Sequence, residues 1–185
     1  MKERAILFSG DMVRAILEGR KTQTRRPIKA QPENGIDICL YSDTGFGIKN
    51  ENGGCLCKSP KCPFGQAGDQ LWVRETWGVM ADKYHRIAYK ADDSTAEVVL
   101  EGKRWRPSIH MPRCASRITL EVDEICVERV QDINYEGMIG EGFTAIEQFD
   151  GCFSQVWDSI YYKQGAGWAA NPWVWVVKFH RLEVT

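Results

Sequence analysis

The stretch RITLEVDEICVERV, residues 117 to 130, constrains the fold more than any other part of the chain. Ile118, Leu120 and Val122 alternate with Thr119 and Glu121, the period of a strand with one buried face. Ile125 and Val127 resume the alternation one residue out of phase, which predicts a bulge between the two halves. A second segment, NPWVWVVKFHRLEV, closes the chain as a strand. At the other end RAILFS suits a short strand, and SGDMVRAILEGRK sets Met12, Val13, Ile16 and Leu17 on one helical face. Ser9 or Asp11 can cap that helix and Gly19 can end it. GDQLWVRETW predicts a strand and its exit, and HRIAYKA a further strand. NYEGMIGEGF, capped by Asn134, and AIEQFDGCFSQVWDSIYY read as helices. Strand, helix, loop, strands, helices, strand is the order of an α+β fold built round a small mixed barrel or sheet.

A chain of 185 residues supports a single domain, here 1–185, with its own core. Between about residues 31 and 66 the composition turns to Gly, Asn, Asp, Pro, Ser and Cys with little periodicity, which marks an insertion rather than core. Neither a secretory leader nor a membrane span is visible in the apolar runs, so a cytoplasmic protein is expected. The seven cysteines then read as thiols or metal ligands before disulfides. Cys39, Cys55, Cys57 and Cys62 fall in the insertion, where four thiolates can form a structural zinc site, with free loop thiols as the other reading. Cys114, Cys126 and Cys152 sit in apolar contexts that suit the core.

The formal net charge is −1, which argues against a polycation that binds nucleic acid by charge alone. Positive charge is local instead. EGRKTQTRRPIK, residues 18 to 29, gathers Arg20, Lys21, Arg25, Arg26 and Lys29 at a helix C-terminus. The helix dipole accounts for two or three of them, and the run continues past the helix. A second cluster joins Lys103, Arg104, Arg106, Arg113 and Arg117 to Trp105 and His110. Such cations hold phosphates while an exposed ring stacks on a base, although Trp105 can equally cover the fold's interior. Glu75, between Trp72 and Trp77, can read an exocyclic amine, pair with an arginine, or lie exposed at the rim of the sheet.

Taken together, ILFSGDMVRAILEGRKTQTRR, GDQLWVRETW, SRITLEVDEI, EGF and the final WVWVVKFHRL resemble the ASCH domain, a small β-barrel of the PUA-like superfamily. The longer form, with PSIHMPRCASRITLEV and NPWVWVVKF, is similar to ASCH proteins carried by bacteriophages and prophages. The resemblance covers most of the chain apart from residues around 31 to 60, and it implies RNA or nucleotide handling in a cleft beside the first helix. GRKTQT also resembles the Gly-Arg-Lys-Thr-x-Thr segment of the bacterial N4-acetylcytidine amidohydrolases, in which a lysine, the second threonine and a glutamate on a later helix form the site. That resemblance implies catalytic roles for Lys21, Thr24 and Glu141 in GEGF.

The chemistry is coherent on its own terms. If helical geometry persists for one turn, Lys21 and Thr24 share a face. Positive neighbours disfavour protonated Lys21, and a neutral amine can accept a threonine hydroxyl proton. The expected activity is binding of RNA or a modified nucleoside, with hydrolysis of the acyl-amide of N4-acetylcytidine as its most concrete reaction and no catalytic cofactor. Arg20, Arg25, Arg26, Glu75, Arg104, Trp105, Arg106 and Arg113 are the expected binding residues. The alternatives are a non-catalytic reader of single-stranded or modified nucleic acid and, behind it, a ribonuclease.

Overall fold

The computed structural model describes residues 1–29, 31, 61–92, 100, 104–144 and 152–183, and the backbone of 37–40, 46–49 and 55–56. Its centre is a five-stranded sheet made of β1 (Glu3–Leu7), β2 (Gln23–Pro27), β6 (Gln70–Arg74), β9 (Thr119–Arg129) and β10 (Trp173–Arg181). The spatial order is β1-β6-β9-β10-β2; β1 and β6 run parallel and the other pairs antiparallel. Two small antiparallel sheets accompany it. β3 (Asp37–Leu40), β4 (Phe46–Lys49) and β5 (Cys55–Leu56) form one, and β7 (Trp77–Val79) and β8 (Ile87–Tyr89) the other. The helices are α1 (Gly10–Leu17), α2 (Tyr135–Gly140) and α3 (Cys152–Tyr161).

The α+β expectation holds, and the barrel does not. Among the described residues the main sheet is open, with β1 and β2 at its two ends and no ladder between them. A side chain bridges the gap instead: Arg26 Nη2 donates to the Leu7 carbonyl at 2.6 Å. The insertion also holds more regular structure than its composition predicts. Its strands are two to four residues long, too short to imprint a period on a Gly- and Asn-rich segment.

β10 explains why WVWVV reads as a continuous apolar run. Trp175, Val177 and Phe179 enter the main core with Ile6, Val13, Leu71 and Leu120, while Val174 and Val176 enter a second core with Phe153, Trp157 and Tyr161. Both faces of the strand are buried, so alternation disappears. Each of these large side chains contributes roughly 1.5–3 kcal/mol by leaving water. The bulge expected in β9 is present: Lys178 pairs with Glu124 and Phe179 with Val122, leaving Asp123 as the extra residue. Among the described residues no helix is long and apolar enough to cross a membrane.

Candidate functional site

α1 starts where its cap directs. Ser9 accepts from the Met12 amide at 3.4 Å. It ends at Glu18, and Gly19 takes φ +75°, a conformation that favours glycine. Past that turn the chain is extended. Lys21 therefore lies in a β-bridge with Glu141, and Thr24 lies within β2, not on a continued helical turn as the spacing suggested. Glu141 closes α2, whose start is capped by Asn134 accepting from the Gly137 amide at 2.8 Å. Gly142 follows with φ +95°, and a Cβ there would meet Ala15 Cβ at 2.9 Å and Lys21 Cβ at 3.2 Å. The glycine of GEGF thus lets α2 close against the end of α1.

This junction gathers charge in a dry place. Lys21 Nζ donates to Glu141 Oε2 at 2.6 Å and to the Glu141 carbonyl at 2.8 Å, with side-chain exposures of 0% and 5%. Arg25 approaches Glu141 Oε1 at 3.3 Å and donates from Nε to Glu128 Oε1 at 2.7 Å. Burial pushes the Lys21 pKa below its ordinary value, and Arg26 and Arg25 act in the same direction, against the opposing pull of Glu141. Arg26 donates from Nη1 to the Tyr161 hydroxyl at 3.1 Å and lies 5.3 Å from the Phe8 ring centroid. Arg20 is exposed and bound to Glu18 and to the Gly142 carbonyl.

A small pocket, open to solvent, adjoins this network. Thr24, Arg25, Arg26 and Glu141 are among its lining residues, and its wall is mostly apolar, with Phe143 and the α3 residues Phe153, Trp157, Ile160 and Tyr161. Lys21 does not itself line the pocket; its ammonium reaches it through the Glu141 carboxylate. Lys21, Thr24, Arg25 and Arg26 are thus brought together with Glu141, 120 positions beyond Lys21. The chain's own periodicity identifies α3 but not what it faces, so nothing in the sequence marks Phe153, Trp157 and Tyr161 as pocket residues. Glu128 carries no sequence signal, since its role depends on the β9–β10–β2 register.

The remaining expected residues lie elsewhere. Glu75 is 1% exposed and forms a two-pronged pair with Arg117, at 2.9 and 3.1 Å. Burial raises its pKa, Arg117 opposes the rise, and Asp92 adds to it. Of its three expected roles, the arginine pair is the one formed. Arg113 pairs with Glu3 at 3.0 Å. Arg106 stacks 4.9 Å from the Trp77 ring centroid, Arg104 is exposed and Trp105 is half-buried; none of these lines the pocket. Lys103 lies outside the described residues, as do Cys57 and the side chains of Cys39 and Cys55. Cys62 packs against the main core, and burial pushes its thiol up to about 11. Cys126 also contacts a core, whereas Cys114 is exposed, contrary to expectation. Among the described residues no group of three or more metal-ligating side chains is assembled.

The fold and pocket define an α+β protein with a small, largely apolar and aromatic-walled cleft between β2 and α3. No protein-family model and no curated protein matches the chain. A solved structure that resembles it is protein EF3133 from Enterococcus faecalis V583, of family DUF984, with a TM-score of 0.48 and 7% identity over 100% of this chain and 83% of that one. So distant a likeness carries no functional argument.

Proposed function

We propose that the cleft between β2 and α3 binds RNA or a modified nucleoside, in a protein of the ASCH, PUA-like type of bacteriophages and prophages. One observation carries the reading: a single pocket is lined by the polar residues Thr24, Arg25, Arg26 and Glu141 together with the rings of Phe143, Phe153, Trp157 and Tyr161. A nucleobase needs both, edges to be read and faces to be covered. The reaction this site suits best is hydrolysis of N4-acetylcytidine. The Lys21 ammonium passes a proton to the Glu141 carboxylate it already touches, and the amine so freed takes the Thr24 hydroxyl proton as Thr24 Oγ1 attacks the acetyl carbonyl. The bond from that carbon to N4 breaks as the proton passes through Glu141 to the departing amine. Water then cleaves the threonyl ester, releasing acetate and restoring the hydroxyl.

Purified protein incubated with N4-acetylcytidine is expected to release cytidine and acetate, and Thr24→Ala to lower the rate at least about 100-fold while leaving the fold intact. Undiminished turnover by that variant removes the mechanism. A second reading, a non-catalytic reader, draws on the engagement of Lys21 Nζ by two oxygens of Glu141 away from the pocket lining. It forecasts saturable binding of acetylcytidine or oligonucleotides without product. Structural zinc at Cys39, Cys55, Cys57 and Cys62 belongs to the same proposal, supported by the four thiols falling in one insertion and by the placement of Cys39 and Cys55 in one small sheet. Elemental analysis should then find zinc bound stoichiometrically; zinc-free protein with the same melting temperature would remove that site.

A further inference from the structure

Lys21, Arg25 and Arg26 bring three positive charges to the cleft, and Glu141 and Glu128 return two negative ones. The surplus falls on Arg26. Both carboxylates are engaged by Lys21 and Arg25, whereas the partners of Arg26 are neutral oxygens, the Leu7 carbonyl and the Tyr161 hydroxyl. Among the described residues Arg26 Nε is buried and has no hydrogen-bond partner. A buried donor without an acceptor is costly, and a half-buried guanidinium paired only with neutral groups can still gain a charge-assisted bond. Arg25 is not available for this, because Glu128 and Glu141 already occupy its fork.

We infer that Arg26 is the anion-recognition residue of the cleft, so that its ligand is phosphate-bearing, a nucleotide or an RNA strand, in preference to a free nucleoside. The inference rests on the proposed base-binding role of the pocket and adds the chemical class of the ligand. The phosphate lies at the β2 edge beside Arg26, where Leu7 is exposed, while the base faces the α3 rings. Arg26 Nη2 holds the carbonyl of Leu7 at the open end of the sheet, so an incoming phosphate exchanges one neutral acceptor for a charged one without rearranging β2.

The test is a calorimetric titration of the whole chain with cytidine, cytidine 5′-monophosphate and oligocytidylate. The monophosphate is expected to bind about 10- to 100-fold more tightly than cytidine, the range of one charged hydrogen-bonded contact. Arg26→Gln is expected to erase that difference, and Arg26→Lys, which keeps the charge and loses the fork, to restore part of it. Oligocytidylate matching the monophosphate identifies a single-phosphate ligand, and oligocytidylate exceeding it identifies an RNA strand; each supports the inference. Equal affinity of the wild-type chain for cytidine and its monophosphate overturns the inference and leaves the pocket reading standing. A phosphate preference that survives in Arg26→Gln overturns it as well. Absence of binding by all three ligands removes the pocket reading and this inference together.

Discussion

Glu141→Gln is expected to lower the stability of the fold by about 3 kcal/mol at pH 7, measured by urea unfolding. The glutamine fits the space and still leaves Lys21 Nζ the Glu141 carbonyl, so the loss is that of the carboxylate opposite a fully buried ammonium. Arg25 suffers less, since it keeps Glu128. The deficit carries a signature in pH. Lys21 has a folded pKa below its ordinary 10.5, so between the two values the unfolded chain holds the extra proton and stability rises with pH. Removing Glu141 removes the influence that raises this pKa, and the window extends to lower pH. The difference between variant and wild type should therefore shrink from pH 7 to about pH 10. A deficit that stays constant across that range would mean that Lys21 is not a buried charge balanced by Glu141. Lys21→Met in the Glu141→Gln background should recover much of the loss, because no unpaired ammonium remains. Thr24→Ala, by contrast, deletes a hydroxyl from the pocket wall without touching this pair, so activity and stability separate at adjacent positions.

Much of the fold was legible because it is written in local chemistry. Ser9 and Asn134 mark helix starts through hydroxyl and amide oxygens that accept from the first turn, and Gly19 marks an end through its positive φ. The out-of-phase alternation in β9 encodes its bulge. The cation cluster after α1 was legible too, whereas the meeting of Lys21 and Glu141 was implied only by the resemblance to the amidohydrolases. Periodicity was silent on partners. It identified α3 as an amphipathic helix yet could not say that Phe153, Trp157 and Tyr161 wall the pocket, because that depends on which face of β10 they cover. It placed Thr24 on a helix because spacing of three fits one, whereas the left-handed turn at Gly19 had already ended the helix. Closure of the sheet was illegible for a similar reason: whether the end strands pair is a property of the whole sheet, and here Arg26 reaches Leu7 where a ladder would be needed.

Arg117→Met should destabilise the chain by about 3 kcal/mol at pH 7, with a pH dependence opposite in sign to that of the Glu141 variant. Glu75 is held dry just past β6; its amide donates to Met111 Sδ at 3.4 Å, and among the described residues its carboxylate accepts only from the Arg117 fork. Arg117 also bonds Asp92 at 2.7 Å and stacks 4.0 Å from the Tyr89 ring centroid, so methionine removes the charge while preserving much of the contact with the ring. The folded pKa of Glu75 is already raised by burial, and loss of Arg117 raises it further. Between the unfolded and folded values the folded chain holds the extra proton, so stability falls as pH rises through the window. Acidifying the Arg117→Met protein from pH 7 towards pH 5 should therefore narrow its deficit against wild type, whereas the Glu141→Gln deficit narrows only on the alkaline side. Glu75→Gln added to Arg117→Met should restore stability at pH 7, since a neutral amide loses far less on burial than a carboxylate. A deficit that widens in acid, or a double variant no more stable than the single one, would show that Arg117 acts through Asp92 or Tyr89 and that Glu75 is not the charge it neutralises.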